Sequence, residues 1–377
     1  MTSKLSDLCD FADGRVVVAG LDLDTYISTE NMLSNKEGIT RSAGLPSISQ
    51  TQAYQAKDVL LSNIRPYFRK IWFADRDGGC SNDVLVLRAK EKVYPGFLYY
   101  LLSDDSFFDY AMATAKGTKM PRGDKRAIMQ YEVPDLPLDI QIGIADTLAV
   151  LDGRIAANRA INHHLEQIAQ AIFKSWFVDF EPFGGKVPDD WRKGTIRDTC
   201  SAIYNGGTPR RNEPLFWNGS IPWLTSGEVR QSIITKPENC ISEAGLKSSS
   251  AKWVPSFSTV VALYGATAGQ VSMVATSLTT NQAICALVPK EHHAFYNYLV
   301  MQNSVAQLEN KAIGSAQQNI SKAIVEKTAC LIADPNSITE FEKLVSPLFN
   351  KWIKSLFESA QLANLRDVLL PRLMSGE

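Results

Sequence analysis

The sequence predicts an α+β fold made of two similar globular blocks, each followed by a long helix. Three features of the chain point to it. Ile144, Leu148, Leu151, Ile155, Asn158, Asn162, Leu165, Ala169, Ile172 and Trp176 fall at alternating steps of four and three residues, a heptad seam of about four and a half repeats. A second helical pattern closes the chain, through Phe341, Val345, Leu348, Trp352 and Leu356 and then, after a slip in phase, Leu362, Leu365 and Leu369. Ahead of each helix, short apolar runs come first and helical runs follow, which is the order of an α+β block.

The first block, 1–138, has strand-like runs at 16–19, 59–62, 71–74 and 83–87, then helical runs at 94–102 and 107–115. The first long helix occupies 139–180. Gly143 and Gly153 are its only glycines and no proline follows until Pro182, so about 36 residues, roughly 54 Å of helix, are expected. A stripe this narrow wants a partner helix, and Asn158 and Asn162 in mid-seam would fix its register. Periodicity alone is equally compatible with a plain bundle helix. Residues 181–193 are rich in Gly and Pro and read as an exposed linker.

The second block, 194–336, has strand-like runs at 221–224, 259–264, 271–275 and 283–288 and helical runs at 295–303 and 305–312. The last helix fills 337–377. Pro347 is expected to kink or restart it, since proline lacks the donor N–H and crowds the preceding turn. Short matches tie the two blocks together: 4–9 with 195–200, Tyr26-Ile27-Ser28 with Trp223-Leu224-Thr225, Ser81-Asn82 with Thr280-Asn281, and Lys116-Gly117-Thr118 with Ile313-Gly314-Ser315. One half-length unit, duplicated and fused, explains them.

Composition narrows the function. A chain of 377 residues with 45% apolar and 21% charged content suits two or three folded domains. A formal net charge of −1 excludes a polycationic nucleic-acid binder but leaves room for a local basic groove, because only the binding face must be positive. No run of 18 apolar residues and no signal pattern at the start occur, so a cytoplasmic protein is expected, its six scattered cysteines reduced. His163-His164 and His292-His293 are adjacent pairs that point apart, so no shared metal is expected.

Catalytic motifs are missing. Gly117 to Gly123 has the wrong spacing for a phosphate-gripping loop, and Gly78-Gly79 and Gly206-Gly207 lack the strand-turn-helix setting of a dinucleotide site. Asp334-Pro335-Asn336-Ser337 lacks the second proline and the aromatic of an adenine methyltransferase. Glu309-Asn310-Lys311 stands without the aspartate a nuclease would add. No catalysis by this chain is therefore expected.

Recognition chemistry is better represented. Residues 1–138 carry 17 Lys/Arg against 18 Asp/Glu, and 194–336 carry 11 against 9, so local clusters matter more than totals. Lys116, Lys119, Arg122, Lys125 and Arg126 crowd one Gly/Pro-containing loop, and Arg65, Tyr67, Arg69 and Lys70 form a second cluster with an aromatic inside it. The matching second-block loop carries amides instead, Gln317, Gln318 and Asn319. Lys and Arg neutralise phosphates, while Asn, Gln and Arg read base edges. Solvated loops would look similar, but recurrence at equivalent places favours two DNA-facing loops. In 204–229, Gly206-Gly207 and Asn218-Gly219 are expected to supply positive-φ turns, Trp217 and Trp223 to pack, and Thr208, Arg210, Arg211, Thr225 and Ser226, with Asn281 nearby, to be presented to DNA.

Three stretches carry a resemblance. They are G-G-T-P with W-N-G-S-I-P-W-L-T-S-G-E, the central segment from L-D-G-R-I to F-V-D-F-E-P-F, and the closing L-L-P-R-L-M-S-G. Together they resemble the specificity subunit of type I restriction-modification systems, over nearly the whole chain. The resemblance implies two target-recognition domains joined by two long antiparallel helices as an internal pseudo-twofold repeat, each domain reading half of a split target in double-stranded DNA. It implies that the helices space the domains, with Leu148, Leu151, Ile155, Asn158, Asn162, Leu165, Ile172, Trp352 and Leu356 packing them. It also implies docking of two methyltransferase subunits and of motor-endonuclease subunits, no cofactor in this chain, and S-adenosylmethionine, ATP and Mg in the partners. The first block departs from the pattern, having Tyr26-Ile27-Ser28-Thr29-Glu30-Asn31 where the second has its I-P-W segment. A self-sufficient DNA-modifying enzyme with degenerate motifs and a coiled-coil scaffold are the competing readings.

Overall fold

The structure is a computed structural model and describes residues 2–313 and 319–375. The chain divides into two compact units, Met1–Ala156 with Gln361–Glu377, and Ala157–Ala360. This cut differs from the boundaries the sequence suggests. Each long helix contributes to both: 138–156 and 361–375 belong to the first unit, 157–177 and 335–360 to the second.

In the first unit, one antiparallel sheet runs Cys9–Phe11, Val84–Ala89, Val59–Ser62, Ile71–Phe73. A second runs Arg15–Val17, Gln50–Tyr54, Gly78–Cys80, Tyr26–Ile27, its last pair parallel. Val59–Ser62 is buried throughout, as its near-continuous apolar run requires when both faces are covered. Leu61, Leu85 and Leu87 pack with Phe97, Leu101, Phe107 and Phe108 from the helices Pro95–Ser103 and Asp105–Ala113. Leu60, Val84 and Val86 pack with Ile27, Tyr54 and Trp72.

The second unit repeats this plan. Its five-stranded sheet contains Cys200–Asn205, Ile284–Pro289, Thr259–Ala262 and Val271–Val274 in the same order, with Ile233–Ile234 added in parallel at the edge. The register is reproduced at a constant offset of 200: Val59 pairs with Leu87 and Phe73, and Thr259 with Leu287 and Met273. Tyr26–Ile27 lies parallel to Gly79 and Cys80, and Trp223 and Leu224 lie parallel to Thr279 and Thr280.

The long helices are Leu138–Phe177 and Pro335–Ser375. In the first unit, Ile144, Ala145 and Leu148 share a core with Leu370 and Met374, and Arg366 donates to Asp152 at 2.7 Å. In the second, Ala169, Phe173 and Phe177 share a core with Phe341, Val345, Phe349 and Trp352, with Leu165, Ile172 and Leu356 half-buried against it. In both units the pairing is antiparallel. Ile155 and Asn162 are buried and Leu151 is half-buried. Asn158 is fully buried, and its Nδ2 donates to Glu358 Oε2 at 3.1 Å and Ser359 Oγ at 3.2 Å.

Three expectations are corrected. The last helix runs unbroken through Pro347. Pro347 is exposed, and the Ser346 hydroxyl donates to the Lys343 carbonyl that its missing N–H leaves open, at 3.4 Å. Leu365 is 45% exposed, and the seam passes instead through Leu370 and Met374. The 181–193 segment is not simply an exposed linker. Trp191 is buried and stacks on Phe177, ring centres 5.4 Å apart, and Phe183 lies 4.9 Å from Trp191, so its aromatics anchor what its glycines loosen.

Candidate nucleic-acid interface

In the first unit, the strand Val59–Ser62 ends in a tight corner. Arg65 is left-handed (φ 52°), a 3-10 turn Pro66–Phe68 follows, and Arg69 is left-handed again (φ 51°). Left-handed backbone costs a non-glycine residue about 1 kcal/mol or more, so two arginines there are unusual. The corner is pinned from both sides. Arg65 N–H donates to the Pro121 carbonyl at 2.8 Å, and Ile64 bridges to Arg122, which also pairs with Lys116 to close a hairpin. Arg69 reaches back to Asp105 of the helix Asp105–Ala113 at 2.9 Å.

This arrangement brings Arg65, Tyr67, Lys116, Lys119 and Arg122 to one edge. Tyr67 is 50% exposed, its ring 4.6 Å from Phe68, and Met120 is 46% exposed beside Lys119. Arg65 and Lys119 are exposed and carry no ion pair among the described residues. The other cations of this edge are committed, whereas Arg126 is exposed with no ion pair among the described residues. Arg122 pairs with Asp83 at 3.1 Å, and Lys116 bonds Asp124, holding its carboxyl below the usual range. Lys70 donates to the Thr29 carbonyl at 2.6 Å, and burial pulls its pKa down. Arg69 and Lys70 therefore shape the corner rather than project from it. Lys125 sits over the Phe11 ring at 5.5 Å, in the hollow with Gly14 and Gln52.

In the second unit, Tyr264 follows the equivalent strand, 42% exposed, and bridges to Asn319 as Ile64 does to Arg122. Gly265 (φ 81°) and Gly269 (φ 91°) occupy the two left-handed positions held by Arg65 and Arg69. Thr267 Oγ1 donates to the Ser226 carbonyl at 2.8 Å, drawing 225–228 to the same corner. Gln317 and Gln318 lie outside the described residues.

The remaining second-unit candidates are largely occupied. Thr225 caps its turn by donating to Glu228 Oε2 at 2.7 Å, and Asn281 Oδ1 accepts from Ala283 N–H at 3.0 Å. Thr208 donates to Gln282. Arg210 and Arg211 are exposed. Arg210 accepts from the Trp217 indole through its carbonyl (3.1 Å), and the Arg211 guanidinium lies 5.8 Å from the Trp217 ring centre. Gly206-Gly207 do not adopt positive φ. A Cβ on Gly206 would stand 2.0 Å from the Thr280 carbonyl oxygen, so they are needed for close strand approach, and of that pair of turns only Asn218 is left-handed (φ 57°). Sequence reasoning missed Tyr264, Phe68 and Met120. The constant 200 offset would have found Tyr264 through Ile64.

The fold is thus a duplicated α+β unit that presents a polar and aromatic corner in each copy. Residues 188–330 match the type I restriction modification DNA specificity domain. The chain is 26% identical to the type I restriction enzyme HindI specificity subunit of Haemophilus influenzae, over 93% of this chain and 94% of that one. It is 25% identical to the MjaIX specificity subunit of Methanocaldococcus jannaschii, over 76% and 70%. Its fold matches the crystal structure of the type I restriction-modification S subunit from M. genitalium with a TM-score of 0.64 at 14% identity, covering 99% of this chain and 96% of that one. The chain thus carries the type I restriction modification DNA specificity domain over 188–330 and is similar along nearly its whole length to a type I restriction enzyme specificity subunit, which makes it a DNA sequence-recognition subunit.

Proposed function

We propose that each unit reads one half of a bipartite double-stranded DNA target through the corner at 64–69 or 264–269, and that the paired long helices fix the separation of the halves. The observation that carries this reading is the recurrence of one corner, at one offset and with one bridging partner loop, in two units whose corner side chains differ. Shared backbone with different side chains is what two readers of different half-sites need. Arg65, Tyr67, Lys116, Lys119 and Arg122 serve the first half. Tyr264, Ser226 and Asn319 serve the second, and Thr208, Arg210, Arg211, Thr225, Asn281, Gln317 and Gln318 are its further candidates.

The chain chooses where, and methyltransferase subunits docked on it supply the chemistry, with the target base turned out of the stack into their pocket. Motor-endonuclease subunits complete the complex, with S-adenosylmethionine, ATP and Mg held by the partners, in the cytoplasm. No described helix is long and apolar enough to cross a membrane. Replacing 194–336 by the same block of a relative should change one half of the methylated sequence in a host genome. A change in both halves would defeat the modular reading. Methyl transfer from labelled S-adenosylmethionine by the purified chain alone would defeat the non-catalytic one. Lys119→Ala should weaken binding to all duplexes alike and reduce the slope of log K on log salt by about 1.

A further inference from the structure

The two corners share a backbone but differ at one informative place. The left-handed position after the bridging residue is Gly265 in the second unit and Arg65 in the first. Glycine takes that conformation freely and arginine does not. The corner as such therefore does not call for arginine, since the sister unit makes it with glycine. What arginine adds is a guanidinium, and here it is exposed and free of ion pairs among the described residues, whereas neighbouring Arg69, Lys70, Lys116 and Arg122 each have an intramolecular partner. Its backbone is also held on both sides. The N–H bonds Pro121 at 2.8 Å, and the carbonyl accepts from Phe68 N–H at 3.0 Å. A planar fork on a fixed backbone matches the paired acceptors O6 and N7 of guanine, which demand geometry, better than a phosphate, which demands only charge.

We propose that Arg65 is a specificity-determining residue that reads one guanine in the half-site of the first unit, and that the left-handed strain is retained to aim its guanidinium. Gly265 leaves the second unit without this contact, so its half-site is read by other groups. The proposal rests on the DNA-facing reading of the corner given above.

The variant that tests it is Arg65→Gly, which copies the sister corner and removes strain instead of adding it. The full chain, co-purified with its methyltransferase subunits, is used to select from a pool of randomised duplexes, and Arg65→Gly and Lys119→Ala are run beside the unaltered chain. Arg65→Gly is expected to keep or raise the melting temperature. It should return the same bipartite consensus with one guanine position degenerate, discrimination there falling roughly 5- to 150-fold. Arg65→Lys, which keeps charge without the fork, should lose discrimination at the same position. An unchanged consensus for Arg65→Gly overturns the proposal, as does an equal loss of binding to every sequence, which marks a phosphate contact. If Lys119→Ala leaves affinity and salt slope unchanged as well, it is the DNA-facing reading of this edge that fails, and the two failures are told apart.

Discussion

The two units solve one packing problem in different ways. Each must hold the corner after its central strand against the second helix of its helical pair. The first unit does so with charge, Asp105 accepting from Lys36 at 2.8 Å and from Arg69 at 2.9 Å. The second does so by contact. Gly269 approaches the Glu309 backbone so closely that a Cβ would stand 2.9 Å from its nitrogen, and Gln270 donates to Glu309 Oε1 at 2.5 Å. The contrast recurs at the helix cap. Tyr94 N–H, at the start of one helix, donates to Gln141 at 3.0 Å, while Phe295 and Tyr296 N–H donate to Glu342 at 2.9 and 2.8 Å. Duplication preserved the backbone plan, and each copy then found its own side-chain solution, so a change at matched positions should have unmatched consequences.

The largest difference is expected in the cores. Trp223 is fully buried and its indole donates to the Gly207 carbonyl at 2.9 Å. Trp223→Ala should cost the second unit about 3–5 kcal/mol, and Tyr26→Ala, at the matched place, less, because a smaller ring is removed. Hydrogen exchange of peptides from each unit measures both. Equal losses would show that the two cores are not independently built.

Glu342 comes next. Burial outweighs its two N–H bonds and pushes its pKa from the ordinary 4.5 up to about 7. Folding thus favours the protonated form. Its contribution is fully present below pH 4.5 and is lost as pH rises through 7. Glu342→Gln, which copies Gln141, should stabilise the second unit at pH 8 by up to about 3 kcal/mol and flatten its pH dependence. Denaturant melts at pH 5 and pH 8 decide it; a destabilised variant at pH 8 would mean the charge is favourable after all.

Gly269→Ala should cost about 2 kcal/mol, since it adds a clash with backbone to a left-handed φ of 91°. Thermal melting reads it, and a neutral result would show that the corner can move away from its helix. The smallest effect belongs to Asp105→Asn. The ion pairs it breaks involve a half-exposed carboxylate, so the loss should stay under about 1 kcal/mol at low salt and fade at high salt. A salt-independent loss would place the cause in packing instead.

Much of this protein can be read in its residues. The four-and-three spacing from Ile144 to Trp176 marks the buried side of the first long helix, because a helix repeats its faces within its own sequence. The strands at 59–62 and 259–262 show as near-continuous apolar runs because both their faces are covered. Pro347 misleads because whether a proline breaks a helix depends on which face it occupies and on who takes the orphaned carbonyl, and here Ser346 does. Gly206-Gly207 announce a constraint but not its kind, since a close approach to Thr280 is a long-range fact.

The candidate site divides along the same line. Charge clusters single out Arg65, Arg69, Lys70 and the 116–126 loop, but composition ranks them equally. Only the tertiary structure turns Arg69 onto Asp105 and Lys70 onto the Thr29 carbonyl and leaves Arg65, Lys119 and Arg126 exposed without ion pairs among the described residues, because the partners of Arg69 and Lys70 lie tens of residues away in the chain. The sequence by itself determined the duplicated blocks, most of the helical seams and the resemblance to specificity subunits, all of which are written in local pattern. Which cations face outward, and at what backbone strain, was decided by contacts that exist only once the chain has folded.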